Sequence, residues 1–148
     1  MNMPLELLAP AKDKNCAISA INFGADAIYI GANAFGARKN AANNLQDIKD
    51  VVDYAHKFFA RVYVALNTIL RDEELNDVQK LLYDLYEIGV DGIIVQDFGI
   101  FKLDLPPFLI SASTQCDIRD SQKVKFFENI GVDRVILARE LSLNQIKD

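Results

Sequence analysis

Apolar residues in this chain fall into short unbroken runs, and stretches with apolar positions three and four apart fill the intervals between them. The first pattern predicts strands covered on both faces and the second predicts amphipathic helices. Residues 5–8 read as a first strand stopped by Pro10, followed by a helix over 13–23 and a second strand over 27–30. A polar loop, 31–44, holds Gly31, Gly36 and a second half rich in asparagine and basic residues. Loops of that length inside a compact fold usually serve function. The next helix, 45–59, places Leu45, Ile48, Val51, Val52, Ala55 and Phe59 on one face, and 62–66 is the third strand. A third helix over 72–88 carries the stripe Leu75, Val78, Leu81, Leu82 and Leu85. A strand at 93–95, a short helix at 99–103, a strand at 108–112, a helix at 121–129, a strand at 135–137 and a helix over 141–147 complete the pattern.

One joint recurs three times. Gly24-Ala25-Asp26, Gly89-Val90-Asp91 and Gly131-Val132-Asp133 each stand between a helix and an apolar run. Glycine accepts the left-handed conformation that closes a helix, so each joint feeds a helix into a parallel strand. The result is α/β architecture, with six parallel β/α units. An open doubly wound sheet fits the length, but Pro10-Ala11-Lys12 stands where a glycine-rich dinucleotide fingerprint belongs. The even spacing of units favours an incomplete (β/α) TIM-barrel-like domain, about three quarters of a full barrel at about 25 residues per unit. The expectation is therefore a single β/α domain over 1–148 that forms the N-terminal part of a longer protein. Its first and last strands present open edges that a homodimer would cover.

The chain has 148 residues and a net charge of −5, which argues against a nucleic-acid clamp built from this segment alone. Cys16 and Cys116 form no CxxC pair, so a reducing, cytoplasmic setting is the default. No apolar run is long enough for a membrane helix, and no membrane partner is expected. Arg71-Asp72-Glu73-Glu74 reads as the solvated first turn of a helix.

In β/α folds, ligands gather at the C-terminal ends of the strands. The residues placed there are Arg38 in the long loop, Asn67 after strand three, Gln96 and Asp97 after strand four, Ser113 and Gln115 after strand five, and Arg139 and Glu140 after strand six. Amides, hydroxyls and guanidiniums suit an oxygen-rich or anionic small molecule, with Arg38 or Arg139 pairing a carboxylate or phosphate. Structural roles compete for some of them. Asp97 can cap the next helix, and Arg139 or Glu140 can form plain ion pairs. The single histidine, His56, sits near a helix end and reads as solvated or capping. Cys116 reads as a buried core residue in preference to a reactive thiolate or a ligand. No catalytic triad, zincin motif or four-thiolate set is present, so no metal or cofactor is expected in this segment.

The segments Leu5-Glu6-Leu7-Leu8-Ala9-Pro10-Ala11, Gly24 through Gly31 and Phe35-Gly36-Ala37-Arg38 resemble the opening of the peptidase U32 family. The resemblance continues, in order, through Asn67-Thr68, Asp72-Glu73-Glu74-Leu75, Val95-Gln96-Asp97, Ser113-Thr114-Gln115 and Leu137 to Ser142. Lys12 and Cys116 depart from the residues usual there, and Lys12 alters that wall of the pocket. The resemblance implies an N-terminal TIM-barrel-like domain. It further implies either a protease or collagenase, or oxygen-independent hydroxylation of tRNA, rRNA or a quinone precursor with prephenate as oxygen donor. The hydroxylation members hold an iron–sulfur cluster on four cysteines that align beyond Asp148, so the cluster is expected only in a full-length protein and the fragment alone is expected to be inactive. RNA is expected to reach the protein through other segments, or through a local patch such as Arg38-Lys39. A non-catalytic assembly subunit is the remaining alternative.

Overall fold

The computed structural model describes residues 5–32 and 43–147. Six parallel strands lie in the order of the chain: β1 (Leu8–Ala11), β2 (Ala27–Gly31), β3 (Arg61–Leu66), β4 (Gly92–Val95), β5 (Leu109–Ala112) and β6 (Arg134–Val135). Between them run α1 (Lys14–Asn22), α2 (Leu45–Ala55), α3 (Leu75–Glu87) and α4 (Ser121–Asn129), with α5 (Leu143–Lys147) after β6.

The sheet is curled. Five gaps of 4.8 Å would hold the first and sixth strands of a flat sheet about 24 Å apart. Yet Glu6, just before β1, accepts a 2.7 Å hydrogen bond from Arg134 Nη1 on β6. Two side chains cannot bridge that span, so the sheet forms an incomplete TIM-barrel-like half-barrel and the open-sheet alternative is excluded. Glu6 also accepts from Arg61 Nη1 at 3.1 Å and from the hydroxyl of the buried Tyr63 at 3.0 Å. The Arg134 guanidinium lies 5.2 Å from the Tyr63 ring centroid. These side chains make a floor at the N-terminal ends of the strands.

Alternation along the strands sorts the core into two layers. Ile28, Ile30, Val62, Val64, Ile93, Val95 and Ile110 face outward under the helices, where Ala17, Ile48, Val51, Val52, Leu82, Leu85 and Phe127 meet them. The inner layer is thin: Ala27, Tyr63 and Ile94 are buried, with Leu8, Tyr29, Leu109 and Ile136 packed on them. Gly92 faces this layer closely, since a Cβ there would lie 2.4 Å from the Leu109 carbonyl oxygen.

The repeated joint gains a second purpose in three dimensions. Asp26, Asp91 and Asp133 each turn a carboxylate oxygen back onto the preceding strand. They accept from the backbone N–H of Leu7 at 2.8 Å, Val62 at 2.7 Å and Ile110 at 2.8 Å. Each carboxylate thus fixes strand register at the barrel floor. The glycines ahead of them have φ of 95°, 87° and 95°.

The joint from α2 to β3 differs. Phe59 takes the left-handed conformation, φ 59°, that glycine fills elsewhere, and it is 95% exposed. A side chain that packs on nothing gains little against that strain. Phe59→Gly is therefore expected to raise stability by about 0.5–1 kcal/mol, the strain relieved exceeding the added chain entropy; urea denaturation measures it, and a lower midpoint would contradict it.

Several boundaries differ from those read in the sequence. The first strand is Leu8–Ala11, not 5–8: Pro10 lies inside it, which an edge strand tolerates because its missing N–H breaks no inner ladder. The helix expected over 45–59 ends at Ala55 and tightens into a 3₁₀ turn, His56–Phe58. The helix expected from 72 begins as a 3₁₀ turn, Asp72–Glu74, before α3. The short helix expected at 99–103 is the 3₁₀ segment Phe98–Lys102. The sixth strand is two residues, Arg134–Val135, and α5 starts at Leu143. Most of the predicted loop, 33–42, lies outside the described residues, and with it Phe35, Gly36, Arg38 and Lys39.

Candidate functional site

Above the thin inner layer the half-barrel opens into a cavity of about 390 Å³ at the C-terminal ends of the strands. Its base is apolar, formed by Leu8, Tyr29, Ile94 and Ile136. Its rim carries Lys12, Asn67, Ser113, Thr114, Gln115 and Arg139. Of the predicted residues, Asn67, Ser113, Gln115 and Arg139 meet there, from the ends of β3, β5 and β6.

Local structure fixes several of these groups. Buried Asn43 donates from Nδ2 to the carbonyls of Lys12 and Gly31, both at 3.0 Å, tying the ends of β1 and β2 together. Ser113 Oγ accepts from the Gln115 N–H at 3.2 Å and so caps the turn Thr114–Cys116 that presents Gln115. Asp97 Oδ2 accepts from the Leu70 N–H at 2.9 Å and Oδ1 from the Gly99 N–H at 2.7 Å. It therefore caps the segment Phe98–Lys102 and anchors the loop after β3, and does not line the cavity. Gln96 and Asp97 line a second, shallow groove that shares Gln115 with the main cavity. Glu140 turns away to Arg119, 3.8 Å from Nη2. Arg38 lies outside the described residues.

Two residues of the site carried little sequence signal. Lys12 carries a signal only through the resemblance, as a departure from the residue usual there that alters the pocket wall. Asn43 was one polar residue in a polar loop, and nothing local distinguishes a buried amide from a solvated one.

The electrostatics of the cavity oppose those of the chain. Lys12 and Arg139 are its charged lining residues, and no carboxylate lines it among the described residues. Neither cation has a hydrogen bond or ion pair from its charged group to another described residue. A chain of net charge −5 thus places two cations at one mouth with no hydrogen bond or ion pair to a carboxylate among the described residues.

The remaining candidate groups are structural. His56 closes α2 and lies 3.0 Å from Asp91 Oδ2, at the floor end of the barrel and away from the cavity. Cys116 is buried, its Sγ 3.7 Å from the Val95 carbonyl oxygen, and burial pushes the thiol above its ordinary pKa. The folded chain holds that proton longer than the unfolded chain, so this contribution to stability is intact below the ordinary thiol range and fades as pH rises through the higher folded value. Ellman's reagent at pH 8 is expected to react with exposed Cys16 about tenfold faster than with Cys116, and equal rates in the folded chain would contradict the burial.

The iron–sulfur cluster implied by the resemblance does not fit the described residues. Cys16 is exposed on α1, Cys116 is buried at the turn after β5, and no three His, Cys, Asp or Glu side chains among the described residues converge on a metal position. None of the described helices is long and apolar enough to cross a membrane.

A curled parallel β/α sheet with a cavity at its strand ends defines a TIM-barrel-like domain. The profile of Peptidase family U32 matches residues 12–148, and the chain belongs to that family. It is 54% identical to the 23S rRNA 5-hydroxycytidine C2501 synthase of Escherichia coli over 97% of this chain, which is 22% of that protein. It is 35% identical to tRNA hydroxylation protein P1 of Bacillus subtilis over 97% of this chain and 35% of that protein. The chain therefore spans about a fifth to a third of these curated relatives. The solved U32 peptidase Mk0906 superposes with a TM-score of 0.69 at 17% identity, covering 93% of this chain and 61% of that one, and it shares the fold.

Proposed function

We propose that this chain forms the substrate-facing cavity of an RNA-hydroxylating protein of the U32 family, with a small anionic co-substrate seated between Lys12 and Arg139. The observation that carries the reading is the pair of cations, Lys12 and Arg139, on a cavity that no carboxylate lines among the described residues, in an acidic chain. The relatives supply the reaction class, since the names of both refer to RNA hydroxylation. Prephenate, the donor that the family resemblance implies, has the chemistry this cavity favours: carboxylates for the cations, and hydroxyl and carbonyl oxygens for Asn67, Ser113, Thr114 and Gln115. An apolar base under that rim suits its ring carbons.

The iron–sulfur cluster belongs to this proposal only as a group ligated by residues other than those described, and no step is derived through it. RNA bases are the proposed targets, with a quinone precursor the alternative substrate. The free thiols accord with a reducing, cytoplasmic setting. Two copies pairing through the outer edges of β1 and β6 complete the proposal; sedimentation as a monomer at high concentration would count against that pairing.

Nothing in the described residues favours proteolysis. His56 and Cys116 sit at opposite ends of the barrel, and the buried thiol keeps its proton. The test of the main reading is mass spectrometry of RNA from cells lacking the gene, complemented with wild type or with cavity variants. Loss of a hydroxylated pyrimidine in the deletion and its return with wild type is expected. An unchanged nucleoside profile in the deletion, with gelatin cleavage by the purified protein, would replace the reading with the protease one.

A further inference from the structure

We infer that the shallow groove beside the cavity is a stacking site for an unpaired RNA base next to the one being modified. It rests on the RNA reading above. The groove lining includes Ile69, Phe98, Gln96, Gln115 and Lys123, together with Asp97, whose two carboxylate oxygens accept from the Leu70 and Gly99 N–H groups. Ile69 is 67% exposed and Phe98 45% exposed, so the groove presents apolar surface beside the polar rim of the cavity.

The Phe98 ring is held from one side. Its centroid lies 5.3 Å from Phe127 and 6.1 Å from Phe126, with interplanar angles of 62° and 70°. Phe127 is buried and roots the cluster in the core. Asp97 caps the same segment through the Gly99 N–H, so the backbone beneath the ring is fixed as well. A pre-set aromatic ring open to solvent is the platform on which unpaired bases stack.

The polar groups around it match the rest of a nucleotide. The Gln96 and Gln115 amides offer a donor and an acceptor to a base edge. Among the described residues the Lys123 ammonium donates one hydrogen bond, to the Asp117 carbonyl oxygen at 2.8 Å, and so keeps donors for a phosphate. Gln115 lines both the groove and the main cavity, so the two sites adjoin across one side chain. One strand can therefore place a base in each. A protein side chain would also fill an apolar groove, but the amide pair and the ammonium favour a base with its phosphate.

The test is fluorescence anisotropy of the 148-residue chain with fluorescein-labelled hexacytidylate, and with the same backbone carrying abasic sites. Wild type and Phe98→Tyr are expected to bind alike, Phe98→Leu about tenfold more weakly, and Lys123→Gln more weakly with a shallower salt dependence. Wild type is expected to lose about tenfold on the abasic backbone, and Phe98→Leu to lose nothing further there. Equal binding of hexacytidylate by wild type and Phe98→Leu, or equal binding of both backbones by wild type, overturns the stacking site and leaves the RNA reading standing. No binding of either backbone by the folded wild-type chain overturns the stacking site, and the nucleoside profile of the deletion strain decides the RNA reading. Should Phe98→Leu fail to fold, Phe98→Tyr and the abasic comparison on wild type still decide the question.

Discussion

Glu6→Ala is expected to destabilise the chain by about 2–3 kcal/mol, because a single carboxylate holds the half-barrel's floor together. Its two oxygens accept from Arg134, Arg61 and Tyr63, and so join the residue before β1 to β3 and β6. The alanine variant would leave a buried phenol hydroxyl and a half-buried guanidinium without their acceptor. Half-buried donors regain some hydration, which keeps the cost below that of a fully buried broken pair. For a chain of this size the change amounts to about 5–10 °C in Tm. Thermal denaturation followed by circular dichroism checks it. Glu6→Gln, which retains an acceptor, should lose less. Combining Glu6→Ala with Arg134→Met should cost less than the sum of the two single changes, since the orphaned cation is then gone. A melting point unmoved by Glu6→Ala would show that the curl is held by the strand ladder and core alone.

The second large effect concerns the cavity. If the proposed seat for prephenate is right, Arg139→Gln and Lys12→Gln will each weaken its binding by about tenfold or more, the worth of one charge-assisted hydrogen bond. The two cations rise from opposite ends of the sheet and share no partner among the described residues, so the double variant should approach a hundredfold loss. Arg139→Lys should recover part of the loss, because it keeps the charge and gives up the planar fork. Raised ionic strength should weaken wild type more than the double variant. Calorimetric titration measures affinity, and hydroxylated nucleoside in complemented cells measures the consequence. Lys80→Gln, on the exposed face of α3, is the control. If wild type binds prephenate and the double variant binds it equally well, the clamp is wrong.

Neither effect follows from the family name. The label peptidase describes a reaction for which the described residues assemble no nucleophile and base.

The order and type of the six β/α units are written in the chain itself. That information is local: apolar periodicity, and the glycine-first joints at Gly24, Gly89 and Gly131, act within a few residues of each other. Strand ends are equally local, so the residue pattern alone places Asn67, Ser113, Gln115 and Arg139 near one another. The curl, by contrast, arises in three dimensions, because it depends on Glu6 meeting Arg134 across 128 positions. Packing in space also selects which strand-end residues face inward. Asp97 spends both carboxylate oxygens on the backbone and Glu140 turns out to Arg119, whereas Lys12 and Arg139 stand over one cavity with no hydrogen-bonded or ion-paired partner among the described residues. Such choices depend on what stands opposite a side chain in space, and opposite partners in a parallel β/α fold are always far apart in sequence.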